Sequence, residues 1–252
     1  MTPHDYLVSV LRNQEPENGQ VATLRAIRGE IESKLRLAVG SAPRFYYGGS
    51  YAKGTMIREC FDLDIVVYHP AGSSRTMADL FNSTGTALQQ AGYIVRPKTV
   101  AWHLPYDGGF HVDVVPGRAQ DLSYLYATLF TNTPRAGTLQ TSLKKHIDAV
   151  SKTGLADIVR LLKVWRLRHG VPLTTFAMEI LTARALDGFS CSDYGSATMR
   201  VLMYIRDQIP QIRLVDPANS NNIVEIASID RGSVQRSAGA AIVAPYWEEI
   251  IW

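Results

Sequence analysis

The sequence predicts an α+β protein of two lobes, a mixed-sheet lobe followed by a mostly helical one. Three observations lead there. Strand-like, turn-punctuated segments fill the first half, and from about residue 139 apolar residues recur at helical spacing. The 252 residues, 46% hydrophobic and 19% charged, suffice for one sizeable core or for two lobes around a cleft.

In chain order, Leu24, Ile27, Ile31, Leu35 and Leu37 recur at near-helical spacing within the first 40 residues and predict one long amphipathic helix bracing both lobes. Strands are expected near 44–48, 61–69, 93–100 and 110–116, with a helix over about 77–91 between them. The second strand carries Ile65, Val66 and Val67, whose β-branching suits a pleated surface. Helices are expected over 139–151, 154–169, 174–187, 195–207 and 230–249. Ile158, Leu161, Leu162 and Trp165 form the core stripe of the second, with Lys163 off that stripe, facing solvent or a cleft. In 214–226, Pro217 fixes φ and the asparagines tolerate left-handed backbone, which predicts a turn. The expected domains are 1–40 as the bracing helix, 41–130 as a catalytic core and 131–252 as a helical lobe, with the lobe boundary near 118–138.

The chemistry concentrates in 48–64, GGSYAKGTMIRECFDLD. Asp62 and Asp64 are separated by one residue on a predicted strand, so both carboxylates point the same way. Two acids on one face repel, and a cation or an Arg/Lys partner relieves the repulsion. A hard metal such as Mg²⁺ suits carboxylates completed by nucleotide phosphates. Gly48, Gly49 and Gly54 allow positive φ and close backbone approach, so N–H groups of the turn can form an anion nest, with the Ser50 hydroxyl, Lys53 and Thr55 nearby. In FHVDVVP, Val112 and Val114 face one side and Asp113 the other; Asp113 either completes a three-acid metal site or pairs structurally with Arg118 or His111. Arg58 and His111 read as structural or surface residues, and Cys60 as a small apolar filler.

GGSYAKGT, DLD and VDVVP together resemble the nucleotidyltransferase core of the DNA polymerase β-like superfamily, and most closely its cGAS/DncV-like and 2′-5′ oligoadenylate synthetase-like branch. LADIVRLLKVWRLRHGVPLTTFAMEIL (155–181), LVDPANSNNIVEI (214–226) and TNTPRAGTLQTSLKKHIDAV (131–150) extend the resemblance to most of the chain between about 40 and 226. The resemblance implies a two-lobed polymerase β-like fold around a central cleft. It implies two Mg²⁺ ions, with Mn²⁺ as a substitute, on catalytic Asp62, Asp64 and Asp113, and phosphate or nucleotide contacts from Gly49, Ser50, Lys53, Lys163 and Thr175. Tyr51, Tyr106 and Phe176 read as core or as base-stacking rings. The implied activity joins NTPs into a cyclic or short linear oligonucleotide messenger in bacterial antiphage signalling, with a regulatory protein or a downstream effector as partner. Transfer of a nucleotide to RNA, a protein or a small molecule, and a catalytically silent nucleotide-binding module, are the alternatives.

A net charge of +3 helps attract phosphates but lacks the basic stripe of a dedicated nucleic-acid binder, so no template strand is expected. There is no Cys/His cluster like the zinc module of the animal cyclic-GMP-AMP synthase. Two unpatterned cysteines and no signal peptide predict a reducing, cytoplasmic setting, and no apolar run is long enough to span a membrane.

Overall fold

The structure, a computed structural model, describes residues 1–252. In chain order its elements are α1 (Pro3–Asn13), α2 (Asn18–Val39), β1 (Arg44–Tyr47), α3 (Gly49–Lys53), β2 (Leu63–His69), α4 (Met77–Gln90), β3 (Arg96–Pro97), β4 (Trp102–Pro105) and β5 (His111–Ala119). There follow β6 (Ala127–Thr131), β7 (Gly137–Thr141), α5 (Leu143–Asp148), α6 (Leu155–Arg168), α7 (Thr175–Ala185), α8 (Tyr194–Gln208), β8 (Leu214–Asp216), β9 (Asn219–Val224) and α9 (Ser228–Val243). The chain forms two compact units: 16–54 with 60–144, and 1–15 with 55–59 and 145–252. No helix is long and apolar enough to cross a membrane.

The first unit is built on a seven-stranded mixed sheet in the order β1-β2-β5-β4-β3, with β6 pairing β5 and β7 pairing β6. β2 runs parallel to β5, and the other pairs are antiparallel. Leu63, Ile65, Val67, Val112 and Val114 are almost wholly buried, as the alternation predicts. α4 starts on a capping box in which Thr76 accepts from the Asp79 backbone N–H and Asp79 returns the bond. It lies close to β4 through Gly85, where a Cβ would come within 2.3 Å of the Trp102 ring.

The second unit packs α1, α6, α7, α8 and α9 around a core of Ile158, Leu161, Leu162, Trp165, Leu181, Val201 and Val234, all fully buried. Asp193 and Thr174 cap α8 and α7 through bonds to backbone N–H groups.

Several elements differ from the sequence expectation. The N-terminal helix is two helices, because Pro16 excludes helical backbone at Glu15, and Leu37 is 89% exposed and serves no core. The strand expected over 93–100 shrinks to Arg96–Pro97, since the Lys98 N–H turns back to the Ala101 carbonyl. The helix expected over 139–151 begins only at Leu143, because Gly137–Thr141 is claimed by pairing with β6. The last helix stops at Val243, ahead of Pro245. The turn predicted in 214–226 sits at the centre of the β8–β9 hairpin, and Cys60 is exposed rather than a filler.

Candidate active site

The acids gather because of strand register. Asp64 on β2 lies opposite Asp113 on the parallel β5, and His103 on the antiparallel β4 lies opposite Asp113 from the other side. Cross-strand partners share a face, so Asp64, Asp113 and His103 form one rung across three strands. Asp62, just before β2, and His111, two residues before Asp113, lie one rung away: His111 Nε2 is 3.7 Å from Asp62 Oδ2 and 4.0 Å from Asp113 Oδ2. Asp113 accepts from Lys98 Nζ at 2.6 Å and lies 3.0 Å from His103 Nδ1. Arg118, once a candidate partner for Asp113, instead donates to the carbonyls of Ser73 and Arg75.

The glycine turn is clamped onto these acids. The Gly48 N–H donates to the Asp64 carbonyl at 2.8 Å. Gly49 has φ +51°, and a Cβ on it would sit 1.7 Å from Asp64 Oδ2, so only glycine leaves the carboxylate its place. Ser50 is buried, and its hydroxyl has no hydrogen-bond partner within the protein. Such an orphaned donor beside an acid cluster is a place for an oxygen-rich ligand.

The electrostatics of the rung fit a divalent cation. Burial, then the charges of Asp62 and Asp113, push the Asp64 carboxyl up to about 7, against the pull of Lys53 and Lys98. Three carboxylates whose mutual repulsion Lys53 and Lys98 offset only in part make a donor set for a hard cation. An unfolded aspartate titrates near 3.9. Between about pH 4 and about pH 7 the folded chain therefore keeps a proton that the unfolded chain releases, and cation-free stability falls as pH rises through that window. The thermal midpoint of EDTA-treated protein is expected to drop between about pH 5 and about pH 7.5, by the equivalent of a few kcal/mol at most. Mg²⁺ added at the upper pH should restore it, and Asp64→Asn should flatten the profile; a wild-type midpoint that rises across this interval contradicts the assignment.

The other sequence candidates are described within their own units. Lys163 on α6 and Thr175 at the start of α7 belong to the helical unit, whereas the acids, Gly49, Ser50 and Lys53 belong to the sheet unit. Lys163 is buried rather than solvent-facing, and its ammonium donates to the Thr55 carbonyl at 2.7 Å. Of the aromatic candidates, Tyr51 stacks on Tyr47 at 4.3 Å and Tyr106 packs on Phe110. Phe176 meets the His146 ring edge-on at 5.0 Å and lines a cavity of about 350 Å³ within the helical unit.

Three residues beside the acids are not legible as such in the sequence: His111, which reads as structural there, His103 and Lys98. Once β5 is accepted as a strand, the i, i+2 spacing of His111 and Asp113 is the signal that places both on one face.

Residues 25–124 match the nucleotidyltransferase domain family. The chain is 25% identical over 268 aligned residues to the cyclic AMP-AMP-AMP synthase of Escherichia coli strain MS 115-1, covering 83% of this chain and 82% of that protein. Its fold matches that of E. coli MS115-1 CdnC solved with ATP, at a TM-score of 0.75 and 21% identity, over 99% of this chain and 97% of CdnC. It also matches Vibrio cholerae DncV, a cyclic AMP-GMP synthase solved with a linear intermediate, at a TM-score of 0.76 and 13% identity over 92% and 86% of the two chains. CdnC in complex with HORMA-deltaN gives a TM-score of 0.73 at 21% identity over 98% and 96%. The fold expected from the motifs is thereby borne out, and the nucleotidyltransferase match falls on the residues that carry the GGSYAKGT, DLD and VDVVP motifs.

Proposed function

We propose that this chain, a nucleotidyltransferase by its residues 25–124, joins nucleoside triphosphates into a cyclic or short linear oligonucleotide without a template. The observation that carries this reading is the rung shared by Asp64 and Asp113, with Asp62 beside it. The likeness to a cyclic AMP-AMP-AMP synthase over most of both lengths supports oligonucleotide synthesis rather than another transfer.

Asp62, Asp64 and Asp113 would hold a pair of divalent ions, Mg²⁺ or in its place Mn²⁺, which when bound neutralise phosphate charge and make the attacking hydroxyl more acidic. The backbone of Gly49, the free hydroxyl of Ser50 and the ammonium of Lys53 would grip the donor phosphates. Lys163 and Thr175 are assigned to the same triphosphate by the family resemblance. A ribose hydroxyl of one nucleotide attacks the α-phosphorus of another. The new O–P bond forms as the bond to the bridging oxygen breaks, pyrophosphate leaves, and the hydroxyl proton passes to Asp113. Aligning these atoms supplies much of the rate.

A cytoplasmic location fits the two free cysteines and the use of NTPs. A role in antiphage signalling and control by a regulatory protein follow the relatives, one of which is solved with HORMA-deltaN. The test is to incubate the purified chain with each labelled NTP and all pairs, in Mg²⁺ and in Mn²⁺, then treat with phosphatase and weigh the products. A phosphatase-resistant oligonucleotide made from free NTPs is expected. Label that appears only on an added RNA, protein or small molecule, or NTP binding without turnover, overturns the reading.

A further inference from the structure

The histidines beside the acids give this sheet face a nitrogen-donor side. His103 Nδ1, His111 Nε2 and an Asp113 oxygen all lie within 4.8 Å of one another. Individually, His103 Nδ1 is 3.0 Å from Asp113 Oδ1, and His111 Nε2 is 4.0 Å from Asp113 Oδ2 and 3.7 Å from Asp62 Oδ2. A cation with bonds of about 2.1 Å separates adjacent donors by about 3.0 Å and opposite donors by about 4.2 Å, so these spacings need little adjustment. The placement is imposed by the fold: His103 is the cross-strand partner of Asp113, and His111 shares its strand face. The two imidazoles pack with centroids 4.7 Å apart and are each about a quarter exposed or less, which limits their rotation.

In this structure the Asp113 charge is met by Lys98, whose side chain is 44% exposed and whose ammonium reaches Asp113 Oδ2. A long, solvent-open lysine is a counter-ion that can swing away when another cation takes its place.

We propose that His103 and His111 join Asp113, with Asp62 in reach, as ligands of a first-row transition cation such as Mn²⁺, and that this makes the chain favour such ions over Mg²⁺. Imidazole nitrogen is a good donor to transition metals and a poor one to Mg²⁺, which keeps to oxygen. The inference rests on the proposed acid site, but its readout does not. Lys98 is the competitor that holds the anionic side of the site until the ion arrives.

The test uses the full chain with Mn²⁺ alone, without nucleotide. Pulsed electron paramagnetic resonance should show ¹⁴N coupling from directly bound imidazole in the wild type. The coupling should weaken in His103→Gln and in His111→Gln and vanish in the double variant. Mn²⁺ affinity should fall at least about tenfold in the double variant, while Mg²⁺ affinity changes less than about twofold. Lys98→Met should tighten Mn²⁺ binding. Bound Mn²⁺ without ¹⁴N coupling in the wild type, or an unchanged Mn²⁺-to-Mg²⁺ affinity ratio in both single variants, overturns the inference. Product analysis on the same preparations separates the two readings. Oligonucleotide synthesis without ¹⁴N coupling sinks this proposal alone, and coupling without synthesis sinks the functional reading alone.

Discussion

Replacing Asp62 and Asp64 together with asparagine is expected to lower oligonucleotide synthesis by at least about a thousandfold, because it removes two of the three carboxylates that would carry the cations. The same change should not destabilise the cation-free fold. Asparagine keeps the shape of aspartate, and the carboxyl of Asp64 is held up near 7 by burial and by repulsion from Asp62 and Asp113. Removing the partly ionised Asp64 carboxyl from that rung and the Asp62 carboxylate beside it relieves repulsion at neutral pH. A thermal midpoint equal to or above that of wild type, with activity gone, is the expected pair of results. The pairing separates a site acid from a structural one, since losing a stabilising ion pair lowers the midpoint. Full synthesis in the double variant would remove these acids from the mechanism.

Gly49→Ala is expected to have the second-largest effect. The added Cβ would fall 1.7 Å from Asp64 Oδ2, and the backbone φ of +51° is itself unfavourable for alanine. Either the turn moves off β2 or the Asp64 carboxylate leaves the rung. We expect a loss of roughly a hundredfold or more in kcat, of the kind that small misplacements of reacting groups produce. The stability cost should stay within roughly 1–3 kcal/mol, the range for a strained backbone position. Gly54→Ala is the control, because it too has positive φ but meets nothing within 4 Å of its Cβ position. It should cost stability without a comparable loss of rate. Equal rate losses in the two variants would mean that the turn, and not the close approach to Asp64, is what matters.

The parts of this fold that were legible in the sequence are those whose signal is local. The stripe through Ile158, Leu161, Leu162 and Trp165 and the β-branched run Ile65–Val67 each specify their element without distant help. The acids were legible as a pair because they are two residues apart at the head of a β-branched run, although β2 begins at Leu63 and only Asp64 lies on it. Their meeting with Asp113 stays open in the sequence between a three-acid site and a structural pair, because the register that sets Asp64 opposite Asp113 is decided by how β2 and β5 align across the intervening α4, β3 and β4. His103 stayed hidden for a related reason. It lies on a four-residue strand that ends in proline, in a stretch that carries little strand signal of its own and is a strand because β5 pairs with it. The segment from Leu139 misled in the opposite direction. Leu139, Leu143, Ile147 and Val150 recur at helical spacing, yet Leu139 pairs with Leu129 across β6 and β7. Tertiary pairing overrode a local period there.

The most direct measurement is anomalous diffraction from crystals of the wild-type chain grown with Mn²⁺ and a non-hydrolysable ATP analogue. The account predicts Mn²⁺ peaks in bonding contact with Asp62, Asp64 and Asp113, with the analogue's phosphates against Gly49 and Ser50. Ordered analogue with no metal at Asp64 and Asp113, or with its phosphates bound away from the glycine turn, would contradict it.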